Sequence, residues 1–161
     1  MILLSDNRVL RSSKLTVGGY GMNTVRELLQ YKGQEVCSIE PDKSAYDAMQ
    51  MMAAKKIGAL PVLEAGKLIG IITERDYPGK AKRLDRPLRD ILVKETMTSQ
   101  VVHVGPDDTL EECTALISKM RVRHLPVMES DQIIGMITIG DLSRAHLRSE
   151  NRHRPASTLP K

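Results

Sequence analysis

Phenylalanine and tryptophan are absent from this 161-residue chain and tyrosine occurs only four times. Aromatic rings can therefore neither fill the interior nor give nucleic-acid bases a stacking surface. The core must be built from Val, Ile, Leu, Ala and nine Met, which suits a small layered α/β structure. Cysteine is scarce as well. Cys37 and Cys113 are too few for a disulfide framework and show no metal-ligand spacing, so two small buried thiols in a reducing compartment are expected. No apolar run approaches a membrane span, and Ile2-Leu3-Leu4 is far too short for a signal peptide. A cytoplasmic location is expected, with an organellar transit peptide as the other reading of a leader that contains Arg and Ser and little acid. The 41% of hydrophobic residues argue against a disordered chain.

The formal charge of +4 is unevenly placed. Arg8, Arg11 and Lys14 against Asp6 leave residues 1–21 at +2, and Arg148, Arg152, Arg154 and Lys161 against Glu150 leave residues 148–161 at +3. What lies between is close to neutral, which disfavours nucleic acid as a partner of the body. Five segments are expected: a flexible extension 1–22, a first unit 23–78, a linker and lead-in helix 79–95, a second unit 96–147, and a disordered basic tail 148–161.

The two units are copies. Shifting the chain by 65 positions lays residues 36–76 on 101–141 without a gap. Pro41-Asp42 meets Pro106-Asp107, Leu60-Pro61-Val62 meets Leu125-Pro126-Val127, Ile72-Thr73 meets Ile137-Thr138, and Asp76 meets Asp141. In each copy a short strand (36–39 in the first) precedes the Pro-Asp pair. A helix follows, opened by a capping box, Ser44 with Asp47 or Thr109 with Glu112. Ala45, Ala48, Met49 and Met52, and Leu110, Cys113, Ile117 and Met120, are the expected core faces. Two apolar runs then form a hairpin, with Pro61 and Pro126 placing the first strand at an edge or at its start, and a second helix begins near Thr73 and Thr138. Pro78-Gly79 is expected to break that helix early in the first copy. A β-α-β-β-α unit of this size cannot bury its own sheet face, so the two must pack together by a pseudo two-fold axis.

The Pro-Asp pair, the Leu-Pro-Val strand, and Gly70-Ile-Ile-Thr73-Glu-Arg-Asp76 with its copy Gly135-Met-Ile-Thr138-Ile-Gly-Asp141 resemble the CBS domain family, whose tandem form is called a Bateman module. The chain is similar to small bacterial two-CBS proteins labelled as relatives of inosine monophosphate dehydrogenase, but it lacks the length of that enzyme's barrel. The resemblance implies α/β tandem CBS repeats that bind adenine nucleotides (AMP, ADP, ATP or NAD) and regulate through self-association or an effector protein. It implies ribose and phosphate contacts from Thr73, Asp76, Thr138 and Asp141, and phosphate contacts from Arg121, Arg123 and His124. An adenine slot would be lined by Ser38, Ile39, Ala59, Leu60, Pro61 and Ile72, and in the copy by His103, Val104, Leu125, Pro126 and Ile137. Elementary chemistry agrees in part: a strand-to-helix turn presents orphan N–H groups to an anion, and a carboxylate can accept from both hydroxyls of a ribose. Thr-x-x-Asp is equally a capping box. The first copy has Lys56-Ile-Gly58-Ala59 where the second has Arg121-Val-Arg123-His124, so the two sites are expected to differ in their demand for phosphate. No catalytic constellation can be assembled from four His and two Cys, and no metal site is expected. The alternative function is a structural or nucleic-acid-binding adaptor with no nucleotide ligand. A homodimer is expected in either case, because such units leave apolar helix faces to cover.

Overall fold

The computed structural model of the protein describes residues 22–75 and 77–152. The expected N-terminal extension up to residue 21, the expected ligand residue Asp76 and the tail beyond residue 152 lie outside the described residues. Two antiparallel hairpins form the centre: β1 (Ala59–Glu64) with β2 (Lys67–Thr73), and β3 (His124–Glu129) with β4 (Gln132–Thr138). Both turns hold two residues at positive φ, Ala65 and Gly66 in one and Ser130 and Asp131 in the other, the conformation that matches the twist of a two-residue hairpin. Around them lie α1 (Val25–Lys32), α2 (Ala45–Lys55), α3 (Tyr77–Leu84), the short α4 (Val93–Thr96), α5 (Leu110–Met120) and α6 (Ile139–Arg152).

Both predicted capping boxes are present: Ser44 Oγ accepts from the Asp47 N–H at 3.0 Å, and Thr109 Oγ1 from the Glu112 N–H at 3.1 Å. The expected strand at 36–39 is reduced to one residue, Ile39, whose N–H donates to the Pro61 carbonyl (3.0 Å) and whose carbonyl accepts from Leu63 (2.9 Å). The reason is Pro61 itself. One step further back, Cys37 would need a donor from position 61, and proline has none. Val104 against Pro126 repeats the arrangement at 3.0 Å. On the other side of the hairpin the proline costs nothing. Its register partner Ile71 turns both backbone groups away from β1, exchanging hydrogen bonds with Thr98 at 2.9 and 2.8 Å.

Three further expectations are corrected. Pro78-Gly79 does not break a helix: α3 runs through it, because Pro78 falls in the first turn, where its missing N–H has no helical acceptor in any case. Met120 is 46% exposed and contributes little to the core. The last helix does not stop at 147 but takes in residues 148–152 of the expected tail.

The lead-in segments are exchanged between the units. Val25, Leu28 and Leu29 of α1 are buried with Val104, Cys113, Ile117, Leu125 and Ile137 of the second unit, although α1 precedes the first. Ile91 and Val93, which precede the second unit, are buried with Ile39, Ala48, Leu60 and Ile72 of the first. The Pro-Asp pairs make both dockings. The Arg26 N–H donates to the Pro106 carbonyl at 2.8 Å while its guanidinium meets Asp107 at 3.2 Å, and the Lys94 N–H donates to Pro41 at 3.0 Å while its ammonium meets Asp42 at 2.7 Å. The duplication thus extends into the lead-in segments, with a register three residues longer.

Candidate functional site

Where β4 passes into α6, Thr138 and Asp141 close a reciprocal cap. Asp141 Oδ2 accepts from the Thr138 N–H (2.9 Å) and hydroxyl (3.0 Å), and the Thr138 hydroxyl accepts from the Asp141 N–H (3.1 Å). Two cations complete the carboxylate: Lys32 Nζ reaches Oδ2 at 2.8 Å and the Met136 carbonyl at 2.6 Å, and Arg144 reaches Oδ1 at 2.6 Å. The Asp141 side chain is only 9% exposed. Burial pushes its pKa up, but the hydrogen bonds and charge of Lys32 and the donors of Thr138 outweigh burial and hold it below the ordinary carboxylate value.

His124, the first residue of β3, stands at the junction of the two units. A methyl group on Gly58 would lie 3.2 Å from both His124 Nε2 and Glu74 Oε1, so the His124 ring of the second unit sits close against the Gly58 backbone of the first. Burial lowers the His124 pKa, Arg123 and Lys32 push the same way, and Glu74 and Asp141 oppose them. Burial thus favours the neutral imidazole, which can still offer an N–H to a phosphate oxygen, the contact expected of it. Arg121 caps the C-terminus of α5 in the left-handed conformation (φ 55°), its N–H bonded to Ile117, and its side chain and that of Arg123 are exposed. The structure thus brings Thr138, Asp141 and His124 within range of one another, with Lys32 and Arg144 added.

The first unit's junction differs in kind. Thr73 ends β2, half-buried, and α3 starts at Tyr77 rather than immediately after the threonine, as α6 does. The positions equivalent to Arg123, His124 and Arg144 are Gly58, Ala59 and Gly79. Only Lys56, in place of Arg121, retains a cation, and it has the same left-handed backbone (φ 54°).

The family model for the CBS domain matches residues 25–77 and 88–148. The chain belongs to the CBS domain family. A curated relative, the mitochondrial CBS domain-containing protein CBSX3 of Arabidopsis thaliana, is 30% identical over 155 residues, covering 89% of this chain and 74% of that one. Among solved structures, the CBS domain NE2398 is 51% identical with a TM-score of 0.74, covering 77% of this chain and 97% of its own. CBSX2, solved in complex with AMP, is 25% identical with a TM-score of 0.62, covering 71% and 90%.

Within these CBS repeats most of the expected adenine-slot residues are core. Ile39, Leu60, Ile72, Val104, Leu125 and Ile137 are at most 5% exposed and packed into the two hydrophobic clusters, and Ala59, Pro61 and Pro126 are buried beside them. Ser38 is half-buried and His103 is exposed, its Nδ1 3.3 Å from the Val101 carbonyl. Lys32 and Arg144 were not anticipated. Thr24 and Glu27 form a capping box that marks the helix ending in Lys32 and Gly33, a signal legible in the sequence, but nothing local says that this helix ends in the other CBS repeat. Among the described residues no group of His, Cys, Asp or Glu could hold a metal ion, and no helix is long and apolar enough to cross a membrane.

Proposed function

We propose that the chain is a regulatory, non-catalytic CBS pair that binds an adenine nucleotide, with its better site at the second repeat. One observation carries this reading: a buried carboxylate at a strand-to-helix turn, ringed by Lys32 and Arg144 with Arg123 and His124 nearby. A carboxylate there can accept from a ribose diol, while the surrounding donors suit a phosphate. The solved complex of CBSX2 with AMP supports an adenine nucleotide as the ligand class. The first repeat, with glycine or alanine at the equivalent positions, makes the weaker demand for phosphate. Occupancy would be transmitted through a cytoplasmic homodimer or an effector protein. Exposed Met120 (46%), Ile139 (49%) and Leu147 (57%) on α5 and α6 supply the apolar surface for the dimer.

Calorimetry with adenosine, AMP, ATP and NAD tests the reading on the wild type and on Asp76→Ala, Asp141→Ala and Arg123→Ala. Each aspartate removed is expected to weaken binding by roughly 10- to 150-fold, the range for a charged hydrogen bond. Arg123→Ala is expected to cost more as the ligand carries more phosphate. A wild type that binds none of the four at millimolar concentration ends the reading. Folded aspartate variants that bind as the wild type does would leave Thr-x-x-Asp as a helix cap alone.

A further inference from the structure

Asp141 Oδ2 already holds three donors: the Thr138 N–H, the Thr138 hydroxyl and Lys32 Nζ. The first two are the cap of α6, built into the turn. A ribose diol that takes this oxygen must displace the third. Lys32 is 28% exposed, so once displaced it keeps the Met136 carbonyl but loses the one anion it meets among the described residues, in a partly desolvated place. A ligand that brings a phosphate replaces that anion, and the flexible four-carbon stem lets the ammonium swing to meet it. A neutral nucleoside brings no replacement.

We propose that Lys32, reaching across from the lead-in helix of the other repeat, is a specificity-determining residue. It guards the Asp141 carboxylate in the free protein and admits phosphorylated nucleosides in preference to neutral ones. This rests on the reading of Asp141 as the ribose acceptor. The equivalent docking on the first repeat brings no lysine to the matching position: α4, which docks there as α1 docks on the second repeat, stops at Thr96, and the position matching Lys32 is Gln100. Selection by this lysine is thereby a property of the second site.

The test is calorimetry with adenosine and AMP as paired probes. Lys32→Gln removes the charge and keeps a hydrogen-bond donor; Lys32→Met, which keeps the stem, provides a second route should the first variant misfold. Lys32→Arg is the conservative rescue. Arg26→Ala loosens the same helix at its far end, where Arg26 pairs with Asp107 and Glu129, without touching Asp141. In the neutral variants adenosine is expected to bind more tightly and AMP more weakly. Their ratio should shrink by about tenfold, the low end for a charged hydrogen bond at a partly exposed site. Lys32→Arg is expected to keep most of the preference and Arg26→Ala all of it. An unchanged ratio in folded Lys32→Gln or Lys32→Met overturns the role of Lys32 while leaving nucleotide binding intact. An equal collapse in Arg26→Ala reduces Lys32 to helix docking. A wild type that binds neither probe at millimolar concentration removes the nucleotide reading, and this proposal with it.

Discussion

Gly135→Ala is the sharpest probe of the exchanged packing. A methyl group at Gly135 would lie 2.7 and 2.8 Å from the two terminal carbons of Leu29 and 3.3 Å from its Cγ, well inside van der Waals contact. Gly135 is buried and Leu29 is 1% exposed, so neither can turn towards solvent. The backbone of Gly135 is not at positive φ, so alanine brings no conformational strain and the whole cost is steric. Overpacking of this kind costs about 1–3 kcal/mol. Leu29→Ala alone removes the buried isopropyl end of that side chain and costs about 2–5 kcal/mol. In the double variant the new methyl occupies part of the space vacated by Leu29, so the penalty of Gly135→Ala is expected to fall close to zero. The double variant should then be more stable than the sum of the singles predicts by about 1–3 kcal/mol. Urea unfolding of the four proteins at constant slope measures this coupling. Additivity within about 0.5 kcal/mol would mean that Leu29 and Gly135 are not in contact, and that α1 does not wall the second core.

Three more outcomes follow from the titrating and buried groups. Asp141 is held below its unfolded value, so its stabilisation is present above the ordinary carboxylate range near 3.9 and lost as pH falls through the folded value; the stability gap between wild type and Asp141→Asn is expected to be full at pH 6 and to shrink below about pH 4, and a gap independent of pH would refute the ion pair. Cys113, pushed up to about 12 by burial and by Asp108 and Glu112, is expected to resist iodoacetamide in the native protein at pH 8 and to react on unfolding; peptide mass mapping that finds rapid native labelling would contradict its burial. The buried Tyr77 hydroxyl has no hydrogen-bond partner among the described residues, so Tyr77→Phe is expected to leave stability unchanged or raise it by up to about 1 kcal/mol in thermal or urea unfolding, and a clear loss would reveal a partner.

The duplication, both hairpins and the caps at Ser44 and Thr109 were legible because each rests on local signals: a fixed repeat, paired turns, and a hydroxyl three residues before a carboxylate. The collapse of the strand at 36–39 to Ile39 was legible in principle, since Pro61 lies in the partner strand, but it requires knowing that the two pair in parallel. Site residues reached through long-range docking were not legible. Lys32 meets Asp141 across 109 positions of chain, and no periodicity connects them. The slot residues were ambiguous for the opposite reason: Leu60, Ile72, Leu125 and Ile137 satisfy a ligand pattern and a core pattern equally, and all four are buried in the two cores.

The exchange of lead-in segments makes the two repeats hostages of one another. A chain cut near residue 87 yields one fragment carrying α1 without the core it fits, and another carrying that core open along one side. The first fragment also lacks Ile91 and Val93, which stay with the second. Each piece is thus the template for the other, and complementation in trans should restore a fold that neither fragment holds alone.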